Sequence, residues 1–278
     1  MTATATSPPP AAPGSTSPGA DGRAAFPTSW PRRIALALLA IYTLYALSTL
    51  EVTLDRFLRG LDNGAKFLGR MWPPNFQASK LELMSQGLVE SMQIAVLATV
   101  VGVVLSVPLG LLAARNLMPS LVSWSARGVI ALCRSFHPII VAILFVKAVG
   151  FGALAGILAL IVASMGFVSK LFAEAIEEIN LKQVEAVRAT GAGFWSTLFY
   201  AVVPQVTARF VGFAAYQLDS NLRNSTMVGI VGGGGIGATL FTAYQRFDYD
   251  FVLTILLAII AIIMVSEVIS ARLRRIFQ

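Results

Sequence analysis

Charged side chains are scarce in this chain. Asp, Glu, Lys and Arg make up 13% of its 278 residues, about half the roughly 25% usual in soluble domains. Hydrophobic residues make up 56%. That balance excludes an ordinary soluble globule and points to an all-α, polytopic membrane protein. Cysteine occurs once, at Cys133, so no intrachain disulfide can form. Histidine also occurs once, at His137, and no HExxH-type spacing is present. No metal site and no nucleophile–base constellation is visible, which argues against an enzyme. Acidic residues are outnumbered, and the net charge is +7. In a membrane protein such an excess belongs to cytoplasmic span ends and anionic headgroups rather than to nucleic acid.

What is present is a series of long apolar runs. Residues 1–29 hold Pro8, Pro9, Pro10, Pro13 and Pro18 and lack an apolar core stretch. They read as a disordered tail, not a signal peptide. Residues 30–278 read as one transmembrane domain. Arg32 and Arg33 precede the first run, which argues for a cytoplasmic start. Six spans are expected, at about 34–50, 88–114, 133–149, 151–167, 198–221 and 251–269. Residues 51–84 mix charge with aromatics and suit an external segment with an amphipathic helix in the interface. Six spans put both termini inside, and the arginines after Ala271 agree.

Two stretches break the apolar pattern. The first, 180–197, is a polar island in which Glu185, Ala186 and Ala189 share a helical face. Gly191 and Gly193 then favour a turn, and Pro204 follows Gly191 by thirteen positions. An ordinary interfacial helix is the plain alternative. The second stretch runs from Arg223 to Gly237. Gly232, Gly234 and Gly237 satisfy G-x-G-x-x-G, but no βαβ context surrounds them and no acidic residue stands about twenty positions on. Gly232, Gly233, Gly234 and Gly235 in succession favour non-helical backbone, which a membrane protein tolerates only where it is buried in protein or lines a cavity. Their amides could also cradle an anion.

Several polar side chains near the spans are candidates for a solute path. Arg134 and His137 are three residues apart, which places them on one helical face. Arg134 snorkelling to the interface and His137 bonding a backbone carbonyl is an equal alternative. Arg223, Asn224, Ser225 and Thr226 offer donors suited to an oxyanion; packing between helices is the competing use.

The spacing around Glu185 resembles the EAA motif of importer-type ABC transporter permeases. Glu185, Ala186, Gly191 and Pro204 fall on the motif's places, while Val187, Ala201 and Val203 stand in for alanine, isoleucine and leucine. Glu90, the runs Arg134–His137, Phe145–Gly150 and Lys170–Glu178, and the glycine-rich stretch are together similar to phosphonate-import permeases over roughly residues 30–278. Pro138 departs from that pattern, where a polar or acidic residue is expected. The resemblance implies a type I ABC importer permease in a prokaryotic inner membrane. It implies that 180–197 is the coupling segment, docking on an ATPase. It also implies a homodimer, two cytoplasmic ATPase subunits that bind ATP and Mg, and an external substrate-binding protein. No cofactor is expected in this chain. The solute would be phosphonate or a related oxyanion such as phosphate or phosphite. A methionine-type or other compact importer is the alternative, and a channel or secondary transporter would need no such segment.

Overall fold

A computed structural model describes residues 30–50 and 53–277, with side chains through Arg272. The proline-rich tail lies outside the described residues. The chain divides into two units after Gly64. In the first, α1 (Trp30–Thr49) has no buried residue. Helix α2 (Leu54–Met71) begins there, and Arg59 donates to Asp55 one turn earlier on its polar side.

The second unit is a helical bundle, and no strand occurs among the described residues. Its axis is α3 (Ala78–Ala113), 36 residues long, or about 54 Å at 1.5 Å per residue. Small residues recur along one face of α3: Gly87, Ser91, Ala95, Ala98, Gly102, Ser106, Gly110 and Ala113 are all buried. Helix α6 (Ala153–Glu177) answers with buried small residues of its own, among them Ala159, Ser164 and Ser169. In lipid there is little hydrophobic drive between helices, so small residues that let backbones approach take its place. A Cβ on Gly102 would stand 2.5 Å from Ser164 Cβ, and one on Gly110 2.8 Å from Phe172 Cδ1. Ser106 Oγ donates to the Gly102 carbonyl at 2.6 Å, and Ser169 Oγ to the Ser106 carbonyl at 3.3 Å.

The third expected run, 133–149, is not one helix. It straddles α4 (Ser120–Ser135) and α5 (Pro138–Val149), which meet at 88°. The cause is Pro138, which disfavours helical backbone at the residue before it. Phe136 and His137 are extended, with ψ of 138° and 142°. Pro138 then opens α5, where its missing N–H is harmless. Arg134 and His137 therefore do not share a helical face: Arg134 ends α4 and His137 caps α5.

After α6 come α7 (Leu181–Ala189), the single turn α8 (Phe194–Thr197), a π-helical turn at Leu198–Val202 and α9 (Val203–Val228). Helices α10 (Ile236–Gln245) and α11 (Tyr249–Phe277) complete the chain. The expected run 198–221 falls short of the end of α9, which continues seven residues, to Val228. Four described helices or helix runs are long and apolar enough to cross a membrane, and up to six spans result if each bent pair is one span. One cluster joins Ala114, Phe172, Ile176, Val184, Leu198 and Val202 at the C-terminal end of α3. Another joins Met71, Ile236, Phe251 and Ile255 toward its N-terminal end.

The close α3–α6 approach makes a prediction. Gly102→Val overpacks the seam and should destabilise the protein by about 1–3 kcal/mol. Gly128, in α4, has nothing within 4 Å of where a Cβ would stand, so Gly128→Ala should be neutral or mildly stabilising. Thermal unfolding in detergent checks both, and equal melting temperatures for the two variants would refute the seam.

Candidate functional site

Between α9 and α10 the chain abandons helical geometry. Gly232, Gly234 and Gly235 have φ of 102°, 79° and 73°, a region that side-chain-bearing residues rarely enter. The turn is enclosed on several sides. Gly152 N–H donates to the Gly232 carbonyl at 2.9 Å. Ile236 N–H donates to Ser91 Oγ at 2.8 Å, tying the start of α10 to α3. A Cβ on Gly156 would strike the Gly233 carbonyl. Gly156 thus admits this turn. Glu90 Oε1 and Ala153 N lie 2.7 and 2.8 Å from where a Gly234 Cβ would stand. The five glycines Gly232, Gly233, Gly234, Gly235 and Gly237 form a protein-buried re-entrant turn, with Gly233 through Gly237 buried throughout.

One turn before it, α9 and α11 enclose a recess of about 510 Å³. Arg223, Asn224 and Thr226 line it, with Tyr216, Ser220, Met227, Ile259 and Ile263. Three of the four donors in the Arg223–Thr226 run are thus brought together. Ser225 is not: it is fully buried and donates to the Leu222 carbonyl at 2.8 Å. Arg223 Nη2 donates to Asp219 Oδ2, and Ser266 Oγ of α11 donates to Asp219 Oδ1 at 3.1 Å. Asp219 is 5% exposed. Sequence reading passed over Asp219 because it sits within an apolar run, although its i,i+4 spacing to Arg223 was a usable signal.

A second missed feature is a buried amide network. Asn221 Nδ2 lies 2.9 Å from both Thr99 Oγ1 and Ser164 Oγ, and Gln217 Nε2 donates to Asn221 Oδ1 at 2.9 Å. It joins α3, α6 and α9 at their shared centre. Arg134 is elsewhere. With Arg127 and Lys170 it lines a smaller recess of about 190 Å³ between α4 and α6. Arg127 pairs with Glu177 at 2.6 Å and Lys170 with Glu174 at 3.4 Å. His137 is exposed, and its Nδ1 accepts the Ile139 N–H at 3.4 Å rather than donating to a carbonyl.

The polar island folds as a helix, a turn and a new helix. Asn180 Oδ1 accepts the Lys182 N–H at 3.0 Å and caps α7. Gly191 has φ of 82° and nothing crowding it. Val184 is the buried residue of α7 and anchors it to Leu198 and Val202. Glu185, Ala186 and Ala189 are exposed, as is Pro204 at the start of α9. Asn180 N–H donates to Gln205 Oε1 at 3.0 Å, and Arg209 pairs with Glu178 at 2.7 Å, so the N-terminal side of the segment is tied to α9.

An all-helical bundle with an internal re-entrant turn, a polar recess and an exposed, glycine-terminated helix fits a membrane transport subunit. The chain belongs to the binding-protein-dependent transport system inner membrane component family, whose model matches residues 106–278. It is 42% identical over 206 residues to the phosphate-import permease protein PhnE of Mycolicibacterium smegmatis, covering 74% of this chain and 38% of that protein. It is 40% identical over 222 residues to the phosphite transport system permease protein PtxC of Stutzerimonas stutzeri, covering 80% of each. Among solved structures, an inward-facing form of the MetNI methionine ABC transporter matches with a TM-score of 0.65 at 22% identity, covering 73% of this chain and all of that one. That likeness establishes the type I importer permease fold.

The latch at Ser91 can be tested. Gly235→Ala places a Cβ against Ser91 Oγ in left-handed backbone, a strain of order 1–3 kcal/mol. It should lower the melting temperature and loosen the turn to limited proteolysis. A variant as stable and as resistant as the parent would show that the turn does not depend on this contact.

Proposed function

We propose that this chain is the permease subunit of an ATP-driven importer of phosphate, phosphite or phosphonate. The observation that carries the reading is the 40% identity to a phosphite permease across 80% of both chains. The recess bearing Arg223, Asn224 and Thr226 supports it, because charge-assisted donors suit a tetrahedral oxyanion. A methionine-type importer shares the fold, and an uptake assay with both solute classes separates the two.

In this reading two copies pair about a two-fold axis, with the path between them. Both termini face the cytoplasm, as the arginines flanking the spans favour. Two ATPase subunits bind ATP and Mg on that side, and an external binding protein delivers the solute. Glu185, Ala186, Ala189 and Gly191 form the surface that seats in the ATPase. Val184 and the bonds from Asn180 and Arg209 carry its displacement to α9. ATP binding brings the two coupling segments together and favours the outward-facing arrangement; hydrolysis resets it.

Two substitutions test the reading in the assembled complex, reconstituted with its ATPase and binding protein. Gly191→Val strains the backbone by roughly 1–2 kcal/mol at an otherwise open position. ATP hydrolysis should persist while phosphate uptake falls; normal uptake would remove Gly191 from the coupling role. Arg223→Gln removes the charge but keeps an N–H donor toward Asp219. Losing donors toward the solute and leaving the buried Asp219 charge unmatched beside the recess, at about 1–3 kcal/mol, predicts an uptake drop of about fivefold or more. Arg134→Ala should reduce uptake less, since Arg134 lines a separate recess. Parental uptake by Arg223→Gln, or equal losses in both variants, would count against a path through the α9–α11 recess.

A further inference from the structure

The Arg223 recess carries an internal contradiction. A guanidinium with five N–H donors faces a cavity of about 510 Å³, and its side chain is 48% exposed. Left alone, it would bind an oxyanion firmly and release it slowly. Yet its charge is already matched: Asp219, with a side chain 7% exposed, accepts from it one turn away on the same helix. That carboxylate does not line the recess. It sits behind Arg223 and is held from the other side by Ser266 Oγ at 3.1 Å. The pair therefore presents to the cavity a set of directional donors with almost no net charge.

We propose that Asp219 is a fixed counter-anion that keeps the recess weak for its solute, a release-determining residue that need not touch the solute. The inference rests on the oxyanion-path reading above. An arriving phosphate must share Arg223 with a carboxylate that cannot leave, because Asp219 is buried and anchored from α11. Binding is then set by hydrogen-bond geometry with Arg223, Asn224 and Thr226 rather than by Coulomb attraction. Retention in the membrane stays short, and selection is left to partners outside it. Ser266 tunes the device. Its O–H takes up part of the carboxylate's charge, so removing it tightens the hold of Asp219 on Arg223.

The test uses the full complex in lipid nanodiscs without the binding protein, with radiolabelled inorganic phosphate in equilibrium dialysis. Asp219→Asn is nearly isosteric and keeps an acceptor for Ser266. It should retain phosphate about tenfold more tightly, in keeping with an uncompensated charge-assisted contact, and should slow phosphate uptake when the binding protein is restored. Adding Arg223→Gln to Asp219→Asn should abolish the gain. Ser266→Ala, on the half-exposed face of α11, should shift retention in the opposite direction, severalfold weaker than the parent. Unchanged or weaker phosphate retention by Asp219→Asn overturns the proposal. If that variant does not assemble, Ser266→Ala decides: unchanged or tighter retention overturns it equally. The two readings fail differently. Reduced uptake by Arg223→Gln with no gain in Asp219→Asn leaves the path and removes the counter-anion. Parental uptake by Arg223→Gln removes the path itself.

Discussion

The hydrocarbon interior offers no water to a backbone N–H or C=O, so a spanning chain must satisfy each one internally. The architecture around Gly229–Gly237 follows from that constraint. A re-entrant turn exposed to lipid would leave polar groups unmet at several kcal/mol each. Here the turn is surrounded by protein. Ser91 of α3 receives the Ile236 N–H, Gly152 donates to the Gly232 carbonyl, and Gly156 lets the Gly233 backbone come close. The seam of small residues between α3 and α6 is the precondition, because it brings both helices near enough to flank the turn. The same seam admits the Asn221–Thr99–Ser164 network, in which the central amide has each of its polar atoms partnered.

Legibility in the sequence followed the physics of each feature. Hydrophobic runs are long-range averages, so the approximate places of α3, α6, α9 and α11 could be read directly. Local turn chemistry was equally readable: the helix, glycine turn and second helix at 181–197 need only sequence-near residues, as does the non-helical backbone at Gly232–Gly235. The break at Phe136–His137 was readable too, since Pro138 restricts the residue before it, but apolar composition on both sides masked it. The Arg134–His137 pairing failed for that reason. What could not be read were partnerships made across helices. Ser266 reaches Asp219 from 47 positions away, and Thr99 reaches Asn221 from 122.

The polar side chains sort by what compensates them. In the α4–α6 recess Arg127 and Lys170 are each matched by a glutamate near the C-terminal end of α6. Those pairs lie toward the C-terminal end of α3, where charge between helix ends is expected at a membrane surface. At the far end of α3, Lys80 bonds Asp248 at 2.7 Å and Asn75 bonds Asp250 at 2.7 Å, tying the start of α3 to the α10–α11 junction. The Asp219–Arg223 pair lies between these two charged ends, within α9. Its carboxylate, 7% exposed, is far more buried than those of the other ion pairs among the described residues.

An ion pair with a buried carboxylate costs more desolvation than one exposed at a helix end, and replacing a buried pair with apolar side chains is often neutral or stabilising. Its presence therefore has no strong stability rationale. The proposed transport path supplies one, because a solute site must offer donors without becoming a trap. A lone arginine would meet the first demand and fail the second, and an apolar recess would fail the first. An arginine backed by an immovable carboxylate meets both. The short i,i+4 spacing lets one helix hold the pair in fixed register. The proposed charge compensation and the proposed coupling thus share one helix, and the Ser266 bond from α11 is the contact through which a displacement of α9 would act on the Asp219 carboxylate.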